Sequence, residues 1–160
     1  MLRVNLICVG NLKEAYWRDA CAEYAKRLGA YCRFSILELP ESRLPQACRE
    51  AEIAAAIEAE GTRILEKCAQ GDYVIAMCIE GKKLSSPALA DKLADIAVSG
   101  KSRVDFIIGG SYGLSSAVKA RADLRLSMSP MTFPHQLARV MLSEQIYRAF
   151  CINADTKYHK

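Results

Sequence analysis

The residue types best spaced to do chemistry lie in the carboxyl half. Gly109-Gly110-Ser111-Tyr112-Gly113 follows the apolar run Val104-Asp105-Phe106-Ile107-Ile108. Glycine has no side chain in the way, so such a cluster frees backbone amides and lets a ligand approach them closely. On its own it fits a ligand loop and a tight strand-to-helix turn equally. The pattern G-G-x-x-G is neither the dinucleotide fingerprint G-x-G-x-x-G nor the P-loop G-x-x-x-x-G-K-[ST], so NAD and ATP sites are unsupported. His135 and His159 are the only histidines, and His135, near the start of an expected helix, reads more naturally as structural than as a base. Thiol catalysis needs a base beside a cysteine, and no nucleophile motif surrounds any of Cys8, Cys21, Cys32, Cys48, Cys68, Cys78 or Cys151. These seven are odd in number, scattered and without a C-x-x-C pair, which argues against both a disulfide frame and a zinc site. In phase with apolar neighbours, they are expected to be core residues in a reducing compartment. Acidic clusters suited to two-metal chemistry are missing from the basic half, so no metal is expected.

The chain that must position these groups has 160 residues, 51% apolar and 25% charged, with 9 Gly and 5 Pro. That is one globular domain, 1–160, able to bury a core. The longest uncharged run, Leu126 to Ala138, is broken by Pro130, Pro134 and His135, so no membrane span is expected. No export signal pattern precedes the first alternating segment, which points to the cytoplasm. Residues 1–80 carry ten Lys/Arg against twelve Asp/Glu, and residues 81–160 carry twelve against six. A net +6 on the carboxyl half suits an anionic partner, nucleic acid being the commonest.

Strand-like and helix-like segments alternate throughout, the signature of one α/β domain. Arg3 to Val9 alternates as a strand, and Trp17, Cys21, Tyr24 and Leu28 follow at helical spacing. Cys32 to Leu39 alternates again, and a charged helix spans about Ala47 to Cys68, weakened midway by Gly61. Tyr73 to Ile79 is almost continuously apolar, as in a strand covered on both faces, and is expected to end at Gly81. Ser86 is the expected N-cap of the next helix, with Pro87 in its first position and Leu89, Leu93, Ile96 and Ala97 as its apolar face. After the strand Val104 to Ile108 come a short helix (about Ser115 to Ala122), a strand (Leu124 to Ser129) and a last helix (about Pro134 to Asn153). That helix is apolar on most sides and wants more than one packing partner, the second being the matching helix of another copy. Ligands of open α/β sheets bind at strand carboxyl ends, so Ile79 to Ser85, Gly109 to Gly113 and Ser129 to Pro134 are the candidate loops.

Taken in order, F-I-I-G-G-S-Y-G-L, L-S-M-S-P-M-T-F-P-H-Q-L-A-R-V-M-L-S-E-Q-I-Y-R-A-F and the terminal Y-H-K resemble one known family. The opening V-N-L-I-C-V-G-N-L-K-E-A-Y-W and the internal E-G-K-K-L-S-S extend the likeness over essentially the whole chain. It resembles the RlmH family of SPOUT-class methyltransferases, which use S-adenosyl-L-methionine to methylate N3 of a pseudouridine in 23S rRNA. The resemblance implies an α/β SPOUT-type methyltransferase domain with a mainly parallel sheet and a C-terminal trefoil knot, whereas the rule that chains avoid knots leads to a plain doubly wound sheet. It also implies a homodimer with the site at its interface, and 23S rRNA in the assembled ribosome as partner.

Position by position, the resemblance places cofactor binding at Met77, Gly109, Met128, Ser129, Pro130, Met131, Thr132 and Phe133. Backbone groups of Gly109 and of the Met128 to Phe133 loop would read adenine and ribose, and Met77, Met131 and Phe133 would supply apolar walls. The resemblance sets Arg139, His135, Tyr158 and His159 near the site; of these Arg139, Tyr158 and His159 are the expected catalytic set, positioning RNA or stabilising charge, and no base for N3 is named. Lys82, Lys83, Lys119, Arg121, Arg125, Arg148, Lys157 and Lys160 are candidates for phosphate contacts. The alternative is a catalytically silent RNA-binding or ribosome-associated factor with the same fold.

Overall fold

A computed structural model describes residues 1–160. Five strands, β1 (Arg3–Val9), β2 (Arg33–Leu39), β3 (Tyr73–Lys83), β4 (Arg103–Ile108) and β5 (Leu124–Ser127), form one sheet in the order β2-β1-β4-β3-β5. Every pairing is parallel, beginning with Arg3 opposite both Arg33 and Arg103. Five helices connect and cover them: α1 (Ala15–Leu28), α2 (Glu50–Leu65), α3 (Ser86–Val98), α4 (Ser116–Arg121) and α5 (His135–Asn153).

The strands are parallel because strands consecutive in the chain are each joined through a helix that crosses back over the sheet. α1, α3 and α5 pack together on one face, and α2 and α4 on the other. Two cores follow. The larger, on the α1/α3/α5 face, is built around Leu6, Phe106, Leu93, Leu142 and Ile146, and the smaller around Ile7, Val74, Ile107, Ile64 and Val118. Alternation along β1 and β4 sends Leu6 and Phe106 to one face and Ile7 and Ile107 to the other, so these strands are apolar on both sides. All seven cysteines are free, and Cys8, Cys21, Cys32 and Cys151 are buried, as expected of small apolar residues.

Several local expectations need correction. Gly81 does not end β3. Met77 and Lys82 both oppose Leu126, so the four residues between them bulge outward and pairing then resumes. A Cβ at Gly81 would stand 2.7 Å from the Leu126 carbonyl carbon, a backbone approach that only glycine permits. The N-cap of α3 is Ser85, one residue earlier than expected, its hydroxyl accepting from the Ala88 N–H at 3.2 Å. Pro87 therefore sits second in the helix, where no intrahelical N–H bond is yet required. Ala97 is exposed, and the buried face of α3 is Leu89, Ala90, Leu93 and Ile96. In α2, Gly61 is less a weakness than a contact. A Cβ there would lie 2.3 Å from Ser115 Oγ, so its absence lets α2 dock against the N-cap of α4.

Candidate active site

β3 and β4 are neighbours, yet their following helices leave toward opposite faces: α3 joins the α1/α5 side and α4 the α2 side. Loops that diverge from adjacent strand ends open a crevice, which is where open α/β sheets bind ligands. A cleft of about 680 Å³ lies there. Its walls come from the β3 bulge, the glycine loop after β4, the loop after β5 and the first turn of α5. This volume falls within the range that suits a nucleoside-sized ligand.

All three candidate loops contribute to it. Met77, Gly109, Met128, Ser129, Met131, Thr132 and Phe133 line the cleft, whereas Pro130 is exposed in the same loop and does not. The loop after β5 is shaped by its own hydrogen bonds. Ser127 Oγ donates to the Ser129 carbonyl at 3.1 Å, and the Met131 N–H donates to Ser129 Oγ at 3.0 Å. The glycine loop closes through a bond of 3.1 Å from Gly113 N–H to the Gly110 carbonyl. A Cβ at Gly109 would meet the Gly113 backbone at 2.9 Å, so the tightness of this turn itself requires glycine. Of the two equal readings from sequence, the tight turn is what the geometry shows, and that turn also lines the cleft.

Arg139, Tyr158 and His159 lie outside the lining. Arg139 is 1% exposed and pairs with Glu38 Oε2 at 2.6 Å, and its Nη2 donates to the Gly10 carbonyl at 3.2 Å. The tail folds back on the middle of α5. Tyr158 O–H donates to Glu144 Oε1 at 3.1 Å, its ring meets Tyr147 edge-on at 4.7 Å between centroids, and the Arg148 guanidinium covers it at 4.8 Å. His159 Nδ1 lies 3.3 Å from Arg148 Nη1. Burial and the Glu144 carboxylate push the Tyr158 hydroxyl up to about 12, so it stays a proton donor at neutral pH.

Two features escaped the sequence. Glu80 of the bulge and Lys119 of α4 form an ion pair of 2.5 Å on the cleft wall, which holds the Glu80 carboxyl below its ordinary value. Only the register of the bulge brings them together, and no sequence spacing encodes it. Glu60, 6% exposed and with Oε2 unpaired, sits behind Gly110, and burial raises its pKa. A lone Glu inside a charged helix carries no signal of burial.

Of the basic candidates, Arg121 and Arg148 are engaged with Asp123 and Glu144 as Lys119 is with Glu80, while Lys82, Lys83, Arg125, Lys157 and Lys160 are exposed without an ion pair. His, Cys, Asp and Glu side chains form no cluster able to hold a metal, and no helix is long and apolar enough to cross a membrane.

Comparison with known proteins agrees with this architecture. The family model described as "Predicted SPOUT methyltransferase" matches residues 2–159. "Ribosomal RNA large subunit methyltransferase H" of Oenococcus oeni is 44% identical over 160 residues, 100% of both chains. The proteins of the same name from Ligilactobacillus salivarius and Bacillus thuringiensis are 47% and 48% identical, over 99% of this chain and 100% of theirs. Among solved structures, a probable methylase family protein from Haemophilus influenzae Rd KW20 shares the fold, with a TM-score of 0.54 at 16% identity, covering 99% of this chain and 70% of that one. A glycine loop and a shaped β5 loop facing each other across a parallel sheet are thus read in the same way by sequence and by fold: the chain belongs to the SPOUT methyltransferase family.

Proposed function

We propose that this protein transfers a methyl group from S-adenosyl-L-methionine to N3 of a pseudouridine in 23S rRNA, on the assembled ribosome in the cytoplasm, and works as a homodimer. The observation that carries the reading is the convergence of seven of the eight expected cofactor residues on one cleft. Backbone amides and carbonyls of Gly109 and the Met128 to Phe133 loop hold the adenosyl group, with Met77, Met131 and Phe133 as apolar walls; Pro130 shapes the loop from outside. The cofactor, when bound, supplies an already activated methyl group, so the protein's work is alignment and preparation of the nucleophile. The loop threads as a trefoil knot, which fixes these backbone groups before the ligand arrives.

The dimer reading rests on α5. No residue from His135 to Ile152 is fully exposed within one protomer, and Leu137, Val140 and Met141 are half-buried apolar residues on that helix. A second copy completes their burial. Tyr158 and His159 then serve the partner's cleft, positioning RNA and stabilising charge, since in their own chain they pack on Glu144 and Arg148 instead of entering the cleft. Arg139 acts through Glu38 and the first turn of α5 as a positioning residue.

The test is transfer of labelled methyl from S-adenosylmethionine to ribosomes lacking the modification, beside ribosomes also lacking the pseudouridine. Label on the first set alone, mapped to N3, is expected. Binding of cofactor with label on neither set would move the target elsewhere, and absence of cofactor binding would favour a silent RNA-binding factor.

A further inference from the structure

Four titratable side chains line the cleft: Cys78, Glu80, Lys119 and His135. Three are unsuited to removing a proton at neutral pH. Glu80 and Lys119 neutralise each other in their ion pair. Burial and the nearby Glu80 carboxylate push the Cys78 thiol up, which keeps it protonated. His135 stands alone. Its Nδ1 is enclosed and without a partner, which leaves Nε2 as the nitrogen able to meet a ligand in the cleft. Its place is fixed by the first turn of α5, where the Ala138 N–H donates to the Pro134 carbonyl at 2.9 Å.

We propose, resting on the methyltransferase reading above, that His135 is the general base that takes the N3 proton of the target pseudouridine. The N3–H bond breaks and its proton passes to Nε2 of the neutral imidazole. The electron pair left on N3 forms the bond to the methyl carbon as the carbon–sulfur bond breaks, and its electrons return to sulfur as a neutral thioether. The imidazolium then releases its proton to water.

The surroundings favour the neutral imidazole, and proton uptake at Nε2 uses its Nδ1–H tautomer. The charges that act on the ring are the Arg139 guanidinium, one turn along α5, and the Glu41 carboxylate from the loop after β2. Burial and Arg139 hold the imidazole below its ordinary value against the opposing pull of Glu41, so it is neutral at pH 7. Arg139 is itself held by Glu38, which fixes its charge in place. Since the working form is the neutral one, transfer is lost as pH falls through the His135 pKa and is complete above it.

The experiment is single-turnover methyl transfer by the full-length protein to unmethylated ribosomes, from mildly acidic to alkaline pH, for wild type, His135→Gln and His135→Asn. Cofactor affinity is followed by calorimetry, and the imidazole of His135 by NMR titration. We expect a wild-type rate that rises with pH along a limb centred on the NMR value for His135. Both variants should bind cofactor as wild type does, lose about 10²- to 10⁴-fold in rate near neutral pH, and recover part of that loss in alkali, where N3 ionises unaided. His159→Gln should lower the rate yet leave the midpoint of the limb unmoved. Variants with the wild-type rate, a limb that follows His159 instead, or a loss equal at every pH and accompanied by weakened cofactor binding would each overturn the assignment. Wild type that binds cofactor but leaves these ribosomes unlabelled would sink the substrate reading itself, a result distinct from active wild type with active variants.

Discussion

Arg139 Nη1 lies 2.6 Å from Glu38 Oε2, with the arginine 1% and the glutamate 43% exposed. The same carboxylate oxygen accepts from the Leu12 N–H at 3.2 Å, while Arg139 Nη2 reaches the Gly10 carbonyl at 3.2 Å. One ion pair thus joins the end of β2, the loop after β1 and the first turns of α5, which carries His135 and Ala138 into the cleft.

Because the cation is buried and its partner is not, the two halves of this pair are not equivalent. Glu38→Gln leaves an uncompensated buried charge and should cost about 2–3 kcal/mol, less than for a pair enclosed on both sides. The double variant Glu38→Gln/Arg139→Met removes the charge as well and should be more stable than Glu38→Gln alone. Urea denaturation of the three proteins tests this; a double variant weaker than the single would show that the arginine's bond to Gly10 matters more than its charge.

The seam between α2 and α4 is set by one missing side chain. Gly61→Ala gains about 1 kcal/mol of helix propensity in isolation. Its methyl, however, would fall 2.3 Å from Ser115 Oγ and 2.9 Å from Ser115 Cβ. Overpacking should win, with a net loss of about 1–3 kcal/mol. Adding Ser115→Gly removes both clashing atoms at a cost of only a few tenths as an N-cap, and should restore most of the loss. A double variant no better than Gly61→Ala would place the strain elsewhere.

These two sites illustrate what the sequence conveys and what it does not. The period-2 runs of β1 and β2 and the continuous apolar run of β3 announce parallel strands, because burial on one or two faces dictates those patterns directly. The glycine loop and the loop after β5 were legible as strand ends, and the family resemblance turned them into a pocket. The strand order was not legible: β4 lies between β1 and β3 through pairings that no local pattern encodes. For the same reason Arg139 read as a charge available for chemistry. Its burial depends on Glu38, 101 residues away. The tail read as part of the site, and its packing on Glu144 became visible only in three dimensions.

Asp105 makes stability depend on pH. It is fully buried in β4, accepts from Asn5 Nδ2 at 2.8 Å and faces Arg103 and Asp72. Burial raises its carboxyl to about 6, from an ordinary value of 3.8. The folded state then binds the proton more tightly than the unfolded state, so this group favours folding below about pH 4 and loses that advantage as pH rises through about 6, a swing of about 3 kcal/mol. Asp105→Asn should flatten stability across that window and raise it at neutral pH. Denaturation midpoints that fall with pH as steeply in the variant as in wild type would assign the dependence to another group.

The tail offers the sharpest separation of binding from chemistry. Tyr158, His159 and Lys160 touch nothing in the cleft of their own chain, and Tyr158 instead covers Glu144, Tyr147 and Arg148 on the middle of α5. Deleting the three residues should leave cofactor affinity close to wild type and lower stability by no more than about 1–2 kcal/mol, the usual scale for one half-buried aromatic and its hydrogen bond. On the proposed dimer, methyl transfer to ribosomes should be abolished, because the partner's cleft would lose its groups for positioning RNA. Mixing truncated protomers with protomers disabled in the cleft by Gly109→Ala, whose added Cβ would strike the Gly113 backbone at 2.9 Å, should restore activity through heterodimers that hold one intact cleft and one intact tail. If the mixture stays inactive while heterodimers form, the tail serves its own chain's cleft, and the two variants fail for the same reason.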